Sequence, residues 1–200
     1  MASRKETSKE ILAEKVPVCI SELWSADAER QGVAYQEMLT LTVEPVDWAD
    51  SVVTEVFLQL SNTNNRNRSI AAQLLCRLAK SDNSKRILQD FPKLFNTVKD
   101  KRFVTARHAL QSMWIVACVG DQYRKKVLDS LKEWYFECVS HKNCTLIRYD
   151  IIESLRKIYD VTKDETIPAL AEGLIVQEKD GKYQKKYRTL WPLRSNRLND

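Results

Sequence analysis

Glycine and proline are scarce in this chain, four of one and five of the other among 200 residues. Tight hairpin turns draw on both, so the shortage argues against a β-sandwich or barrel. Histidine is rarer still, at two. There is no glycine-rich phosphate loop, no His-Glu metal pair and no nucleophile elbow, so an enzymatic activity has thin support. Long apolar runs are missing as well. The longest uncharged stretch, Phe103 to Ala106 and then His108 to Gly120 after Arg107, is too short and too interrupted to cross a bilayer. The opening Met1-Ala2-Ser3-Arg4-Lys5-Glu6 carries no apolar signal core. A cytoplasmic protein with no membrane partner is the expectation.

The five cysteines, at positions 19, 76, 118, 138 and 144, are odd in number and lack framework spacing, which suits small apolar residues of a reducing compartment. No disulfide is required. One cluster, Cys138, His141 and Cys144, offers two thiols and an imidazole within seven residues. Zinc asks for a fourth ligand and tighter cysteine pairing, so neither metal nor cofactor is expected.

What the chain does hold is 44% apolar and 30% charged residues, rich in helix formers. That composition suits a single all-α domain over 1–200 with a real core. Periodicity supports it. From Arg68, the positions three, four, seven and ten residues on are Ala71, Ala72, Leu75 and Leu78; from Arg148 they are Ile151, Ile152, Leu155 and Ile158. From Arg107 they are Leu110, Gln111, Trp114 and Ala117, where Gln111 breaks an otherwise apolar helical stripe. The three arginines stand 39 and 41 residues apart.

A second series lies between these helices. Ile87, Leu88, Phe91, Leu94, Phe95 and Val98 return about forty residues on as Val127, Leu128, Leu131, Trp134, Tyr135 and Cys138, and then as Ile167, Pro168, Ala171, Leu174 and Ile175. Two patterns sharing one period mark a helical-hairpin repeat, whose units must stack to bury faces too wide to cover alone.

The second-helix starts, Asn67-Arg68-Ser69-Ile70-Ala71-Ala72, Ala106-Arg107-His108-Ala109-Leu110 and Ile147-Arg148-Tyr149-Asp150-Ile151, resemble the valine-arginine start of the second helix in HEAT and armadillo-like repeats. Pro92 fits the kinked first helix of that family. The resemblance runs from Asp47 to about Leu190. It implies a right-handed α-α superhelix of about four hairpins plus a basic C-terminal helix, and a non-enzymatic scaffold or adaptor that binds a protein or another acidic partner. A branch of HEAT-like proteins releases alkylated purines from DNA, so a nucleic-acid-binding or repair protein is the alternative. Trp114, Tyr149, Asp150, Arg107 and Arg148 supply the residue types such a site uses, although their spacing departs from that branch's tryptophan and aspartate motif.

The ends are less regular. Segments 10–24 and 27–42 form an opening helix pair, a degenerate cap over 1–46. Arg30, Val33, Ala34 and Met38 echo the repeat there and Glu37 spoils it. Asp47 is placed as the N-cap of the third helix, after Pro45. Regular repeats fill 47–180. In 181–200, Tyr183, Tyr187, Leu190 and Trp191 make a helical stripe ringed by Lys182, Lys185, Lys186 and Arg188, which favours a basic helix ending at Pro192 over a hairpin about Asp180-Gly181. Residues 176–200 hold seven basic groups against three acids, four of the five net positive charges. These tail cations are either a solvated end-cap face or an anionic contact. Arg68, Arg107 and Arg148 carry a similar choice: each guanidinium locks the stack through carboxylates or loop carbonyls, or faces a groove beside Tyr149 and holds an acidic ligand.

Overall fold

The structure, a computed structural model, describes residues 14–191. Every regular element among the described residues is helical. Helix α1 covers 14–22. It is followed by α2 (Ala28–Leu41), α3 (Ala49–Gln59), α4 (Asn65–Leu78), α5 (Arg86–Gln89), α6 (Phe91–Asn96), α7 (Phe103–Ala117), α8 (Asp121–Glu137), α9 (Cys144–Thr162), α10 (Thr166–Ile175) and α11 (Gly181–Leu190). No helix among the described residues is long and apolar enough to cross a membrane. Residues 1–13 and 192–200 lie outside the described set, and with them the start of the first predicted helix, Pro192, Arg194, Arg197 and Asp200.

The chain divides into two compact units, Met1–Thr97 and Val98–Asp200. The division falls between α6 and α7, inside the second of the predicted hairpins. In the first unit α4 packs against both α3 and α2; in the second α9 packs against α7, α8, α10 and α11.

Local chemistry explains the helix ends. Asp27 accepts from the N–H groups of Glu29 (2.8 Å) and Arg30 (3.1 Å) to start α2, Asn64 accepts from Arg66 N–H (2.9 Å) to start α4, and Asp180 accepts from Lys182 N–H (2.8 Å) to start α11. Each satisfies donors that the first turn leaves unpaired. Helix α3 departs from the expected start: Trp48, not Asp47, holds the cap position and makes no side-chain cap bond. Pro92 sits in the first turn of α6, where its missing N–H costs nothing. The first helix of that hairpin is therefore broken into α5 and α6 at Asp90.

Burial follows both sequence series. Ala71, Ala72, Leu75 and Leu78 on α4 and Ile151, Ile152, Leu155 and Ile158 on α9 are all inaccessible to solvent. Leu94, Val127, Leu131, Tyr135 and Ile167 are equally buried, while Leu88, Leu128 and Pro168, equivalent to one another in the second series, are all half-buried. Two positions differ from expectation. Trp114 is half-exposed and Met113 takes the core position beside it, because the buried face of α7 runs through Ala106, Ala109, Leu110, Met113, Val116 and Ala117. On α2, Val33 is exposed and Gln31 is buried in its place. The Gln31 amide donates to the Leu23 carbonyl (2.7 Å) and to Asn67 Oδ1 (2.9 Å), which meets the requirement that a buried polar group be paired.

Polar contacts between helices recur at the repeat's own spacing. In the first unit they join Tyr35 to Gln73 and Arg77 to the Leu39 carbonyl, each 38 residues apart. In the second they join Lys99 to Glu137 at 38, Gln111 to Asp150 at 39, Arg124 to Asp164 at 40 and Tyr187 to the Thr145 carbonyl at 42.

Candidate functional site

The repeated arginines do different work in their surroundings. In the first unit Arg68 is buried, and its guanidinium donates to the carbonyls of Asn62 (2.8 Å) and Thr63 (3.1 Å) in the turn that leads into α4. In the second unit Arg107 forks onto Asp150, Nε to Oδ2 at 2.7 Å and Nη2 to Oδ1 at 3.2 Å, and Gln111 donates to the same Oδ1 at 3.1 Å. Asp150 is 1% exposed and the Arg107 side chain 39%, so this planar, charge-assisted fork joins α7 to α9 with the carboxylate buried and the guanidinium side chain still open to solvent. The Asp150 hydrogen bond holds the Arg107 pKa above the ordinary arginine value.

Arg148 organises the most elaborate cluster. Its Nε donates to the Tyr135 carbonyl (3.1 Å), its Nη1 donates to Glu178 Oε2 (3.0 Å), and its guanidinium lies 4.6 Å from the centre of the Tyr135 ring. The Tyr187 hydroxyl donates to the Thr145 carbonyl (2.8 Å), with Glu178 Oε2 3.2 Å away. Both charged partners are largely buried, Arg148 at 12% and Glu178 at 5% side-chain exposure. Burial works against the Glu178 charge, yet the Asp180 N–H, Arg148 and Tyr187 outweigh it and hold the carboxyl below its usual range. Burial likewise pushes the Tyr187 phenol up. The Tyr135 hydroxyl is buried without a hydrogen-bond partner among the described residues, and burial raises its pKa too.

The α11 cations present a different picture. Lys182, Lys185 and Lys186 are exposed. The Lys186 ammonium lies 4.6 Å from the centre of the Tyr149 ring, and Tyr149 and Tyr183 each neighbour the buried Tyr187 ring, with centroids 6.3 and 6.4 Å away. Arg188 instead turns back to Glu172 (2.8 Å), tying α11 to α10. The structure thus brings Tyr149 together with Lys186, and leaves Arg68, Arg107 and Arg148 each inside its own set of acceptors. Trp191 closes the helix, its indole N–H donating to the Ile152 carbonyl at 3.2 Å.

Sequence reasoning missed Glu178 and Glu172, the carboxylates that pair with Arg148 and Arg188. They lie 30 and 16 residues from their partners, so the repeat spacing does not point to them. Asp150 was within reach, because it stands about one repeat beyond Arg107. Among the described residues no group of three His, Cys, Asp or Glu side chains is placed to hold a metal ion; the His141 Nδ1 accepts from the Asn143 N–H at 3.1 Å. Among the described residues, a groove along α1 and α2 is lined by Val18, Cys19, Val33 and Ala34, by Glu29 and by the paired charges Lys15–Glu37 and Arg30–Glu22, and by no aromatic ring.

The fold and these clusters define an all-helical protein of packed helix pairs tied by polar contacts. No family model and no curated protein matches the chain. Among solved structures, the crystal structure of an engineered protein from the Northeast Structural Genomics Consortium is similar, with a TM-score of 0.53 and 17% identity over 86% of this chain and 76% of that one. At this identity the likeness concerns the fold alone.

Proposed function

We propose that the chain is a HEAT-like scaffold, a right-handed α-α superhelix of the cytoplasm, that docks an acidic protein partner on the α11 surface. One observation carries this reading: Lys182 and Lys185 are exposed and have no carboxylate partner among the described residues, and Lys186 extends them onto the face of Tyr149. Exposed cations, one of them held over an aromatic face, on a helix anchored by its other side form a preorganised surface for carboxylates. The anchoring is specific, since Tyr187 and Trp191 bond to carbonyls of α9 and Arg188 pairs with Glu172 of α10. Asp150, the carboxylate a purine-releasing site would use, is buried with both oxygens engaged by Arg107 and Gln111, so the repair alternative draws no support from it.

The test uses a fluorescent oligoglutamate peptide and a short DNA duplex as probes. The parent protein should bind the peptide and lose affinity as salt rises. Converting Lys182, Lys185 and Lys186 together to Gln should weaken peptide binding about tenfold, the sum of three exposed charge contacts, with the melting temperature unchanged. Equal binding by parent and variant rejects the α11 surface. Preference for the duplex, lost in the same variant, transfers the surface to a nucleic-acid partner.

A further inference from the structure

Between α8 and α9 the chain makes a short 3-10 turn, Cys138–Ser140, and reaches the first residue of α9, Cys144. Two successive backbone bonds, His141 N–H to the Cys138 carbonyl (2.8 Å) and Cys144 N–H to the His141 carbonyl (2.9 Å), curl this connector back on itself. The result places the Cys138 and Cys144 sulfurs 2.7 Å apart, with both thiols free. A disulfide needs about 2.05 Å, so bond formation asks for a movement well under the width of an atom. Cys138 is buried and Cys144 is half-exposed, an asymmetry that separates an entry thiol from a resolving one.

We infer that Cys138 and Cys144 form a reversible thiol–disulfide site that takes low-molecular-weight disulfides of the glutathione class as its oxidant. Cys144 loses its proton and attacks one sulfur of the oxidant, whose other half leaves as a thiol, so that Cys144 carries a mixed disulfide. Cys138 then gives up its proton, attacks Cys144 Sγ and expels the second small thiol. Two electrons and two protons pass from the cysteine pair to one oxidant molecule, which becomes two thiols. Excess small thiol runs the sequence backwards, the behaviour expected of a cysteine pair in a reducing compartment. The remaining cysteines do not compete on geometry: Cys19 and Cys76 are buried, and no cysteine is hydrogen-bonded to Cys118 among the described residues.

The experiment incubates the folded full chain with oxidised glutathione and follows intact mass and disulfide-linked peptides. The parent should lose two hydrogens and yield a peptide joining Cys138 to Cys144, reversed by reduced glutathione. The Cys138→Ser variant, which lacks the resolving thiol, should instead keep one glutathione on Cys144. A parent that keeps a stable glutathione on Cys144, reacts first at another cysteine, or does not react under these conditions overturns the inference. Circular dichroism of both proteins confirms that the folded chain is the species tested, and a variant that fails to fold is replaced by Cys138→Ala.

Discussion

The two units join their helices with different chemistry. In the first, ion pairs of Lys15 with Glu37 and Arg30 with Glu22 join α1 to α2, but the basic side chains on and just after α4 reach backbone carbonyls: Arg66 that of Ala28, Arg68 those of Asn62 and Thr63, Arg77 that of Leu39 and Lys80 that of Val43. In the second they end on carboxylates, with Arg107 on Asp150, Arg124 on Asp164, Arg148 on Glu178 and Arg188 on Glu172. At the same repeat position, Arg68 donates to two turn carbonyls and Arg107 forks onto a buried carboxylate. What differs is the cost of removing one partner. A carbonyl left alone loses part of a hydrogen bond, whereas a buried carboxylate left alone keeps an uncompensated charge.

Five substitutions, one of them read through a pH titration, sharpen or break this contrast. The largest effect belongs to Arg148→Met, which strands the buried Glu178 and should cost about 3–5 kcal/mol in urea unfolding; a loss under 1 kcal/mol places Glu178 in contact with water. Arg68→Met should cost less, about 1–3 kcal/mol, by depriving two turn carbonyls of their donor. If it proved the more damaging of the two, the contrast between units would collapse.

Acid should act on the second unit through Glu178. Its folded pKa lies below the unfolded value, so its stabilisation is complete above the unfolded pKa and drains away as pH falls through the folded one. Stability measured downward from about pH 5 should fall less steeply in Glu178→Gln than in the parent, though the variant starts lower at neutral pH. Parallel pH profiles would remove Glu178 from the acid response.

The smallest expected change is a gain. Lys85 and Lys163, one in each unit, both adopt left-handed backbone with φ of 54°, a conformation that costs most residues about 1 kcal/mol and glycine nothing. Lys85→Gly and Lys163→Gly should each raise the unfolding free energy by a few tenths to about 1 kcal/mol, read in urea unfolding, because the added freedom of glycine in the unfolded chain takes back part of the gain. A loss at Lys163 would show that its ammonium, 5.6 Å from the Tyr159 ring centre, outweighs the strain.

The two series of apolar positions were legible because periodicity reports which residues share a face. It reports less well where that face ends. On α7 the sequence stripe from Arg107 takes in Gln111 and Trp114, but the Arg107 and Gln111 side chains lean toward Asp150, and the buried arc shifts by one residue to Met113. On α2 the same ambiguity exchanges Val33 for Gln31. The α11 lysines could be placed outside the Tyr183, Tyr187 and Trp191 stripe from spacing alone. Their lack of partners could not, since Arg188 on the same helix is engaged by Glu172, and only three-dimensional proximity separates the two cases. The cysteine pair stood out in the sequence only as an incomplete metal cluster, since six residues of separation says nothing about the two turns that bring the sulfurs together.

The near-forty-residue reach of the inter-helix bonds also bears on how the chain acquires its structure. Lys99 needs only the chain up to Glu137, Gln111 only that up to Asp150, and Arg124 only that up to Asp164. Loops of similar, modest length must close for each, so none of these steps carries the entropic delay of joining distant termini. A ribosome adding residues one at a time exposes each partner in turn, and contacts can be completed in the order of synthesis rather than after release of the finished chain.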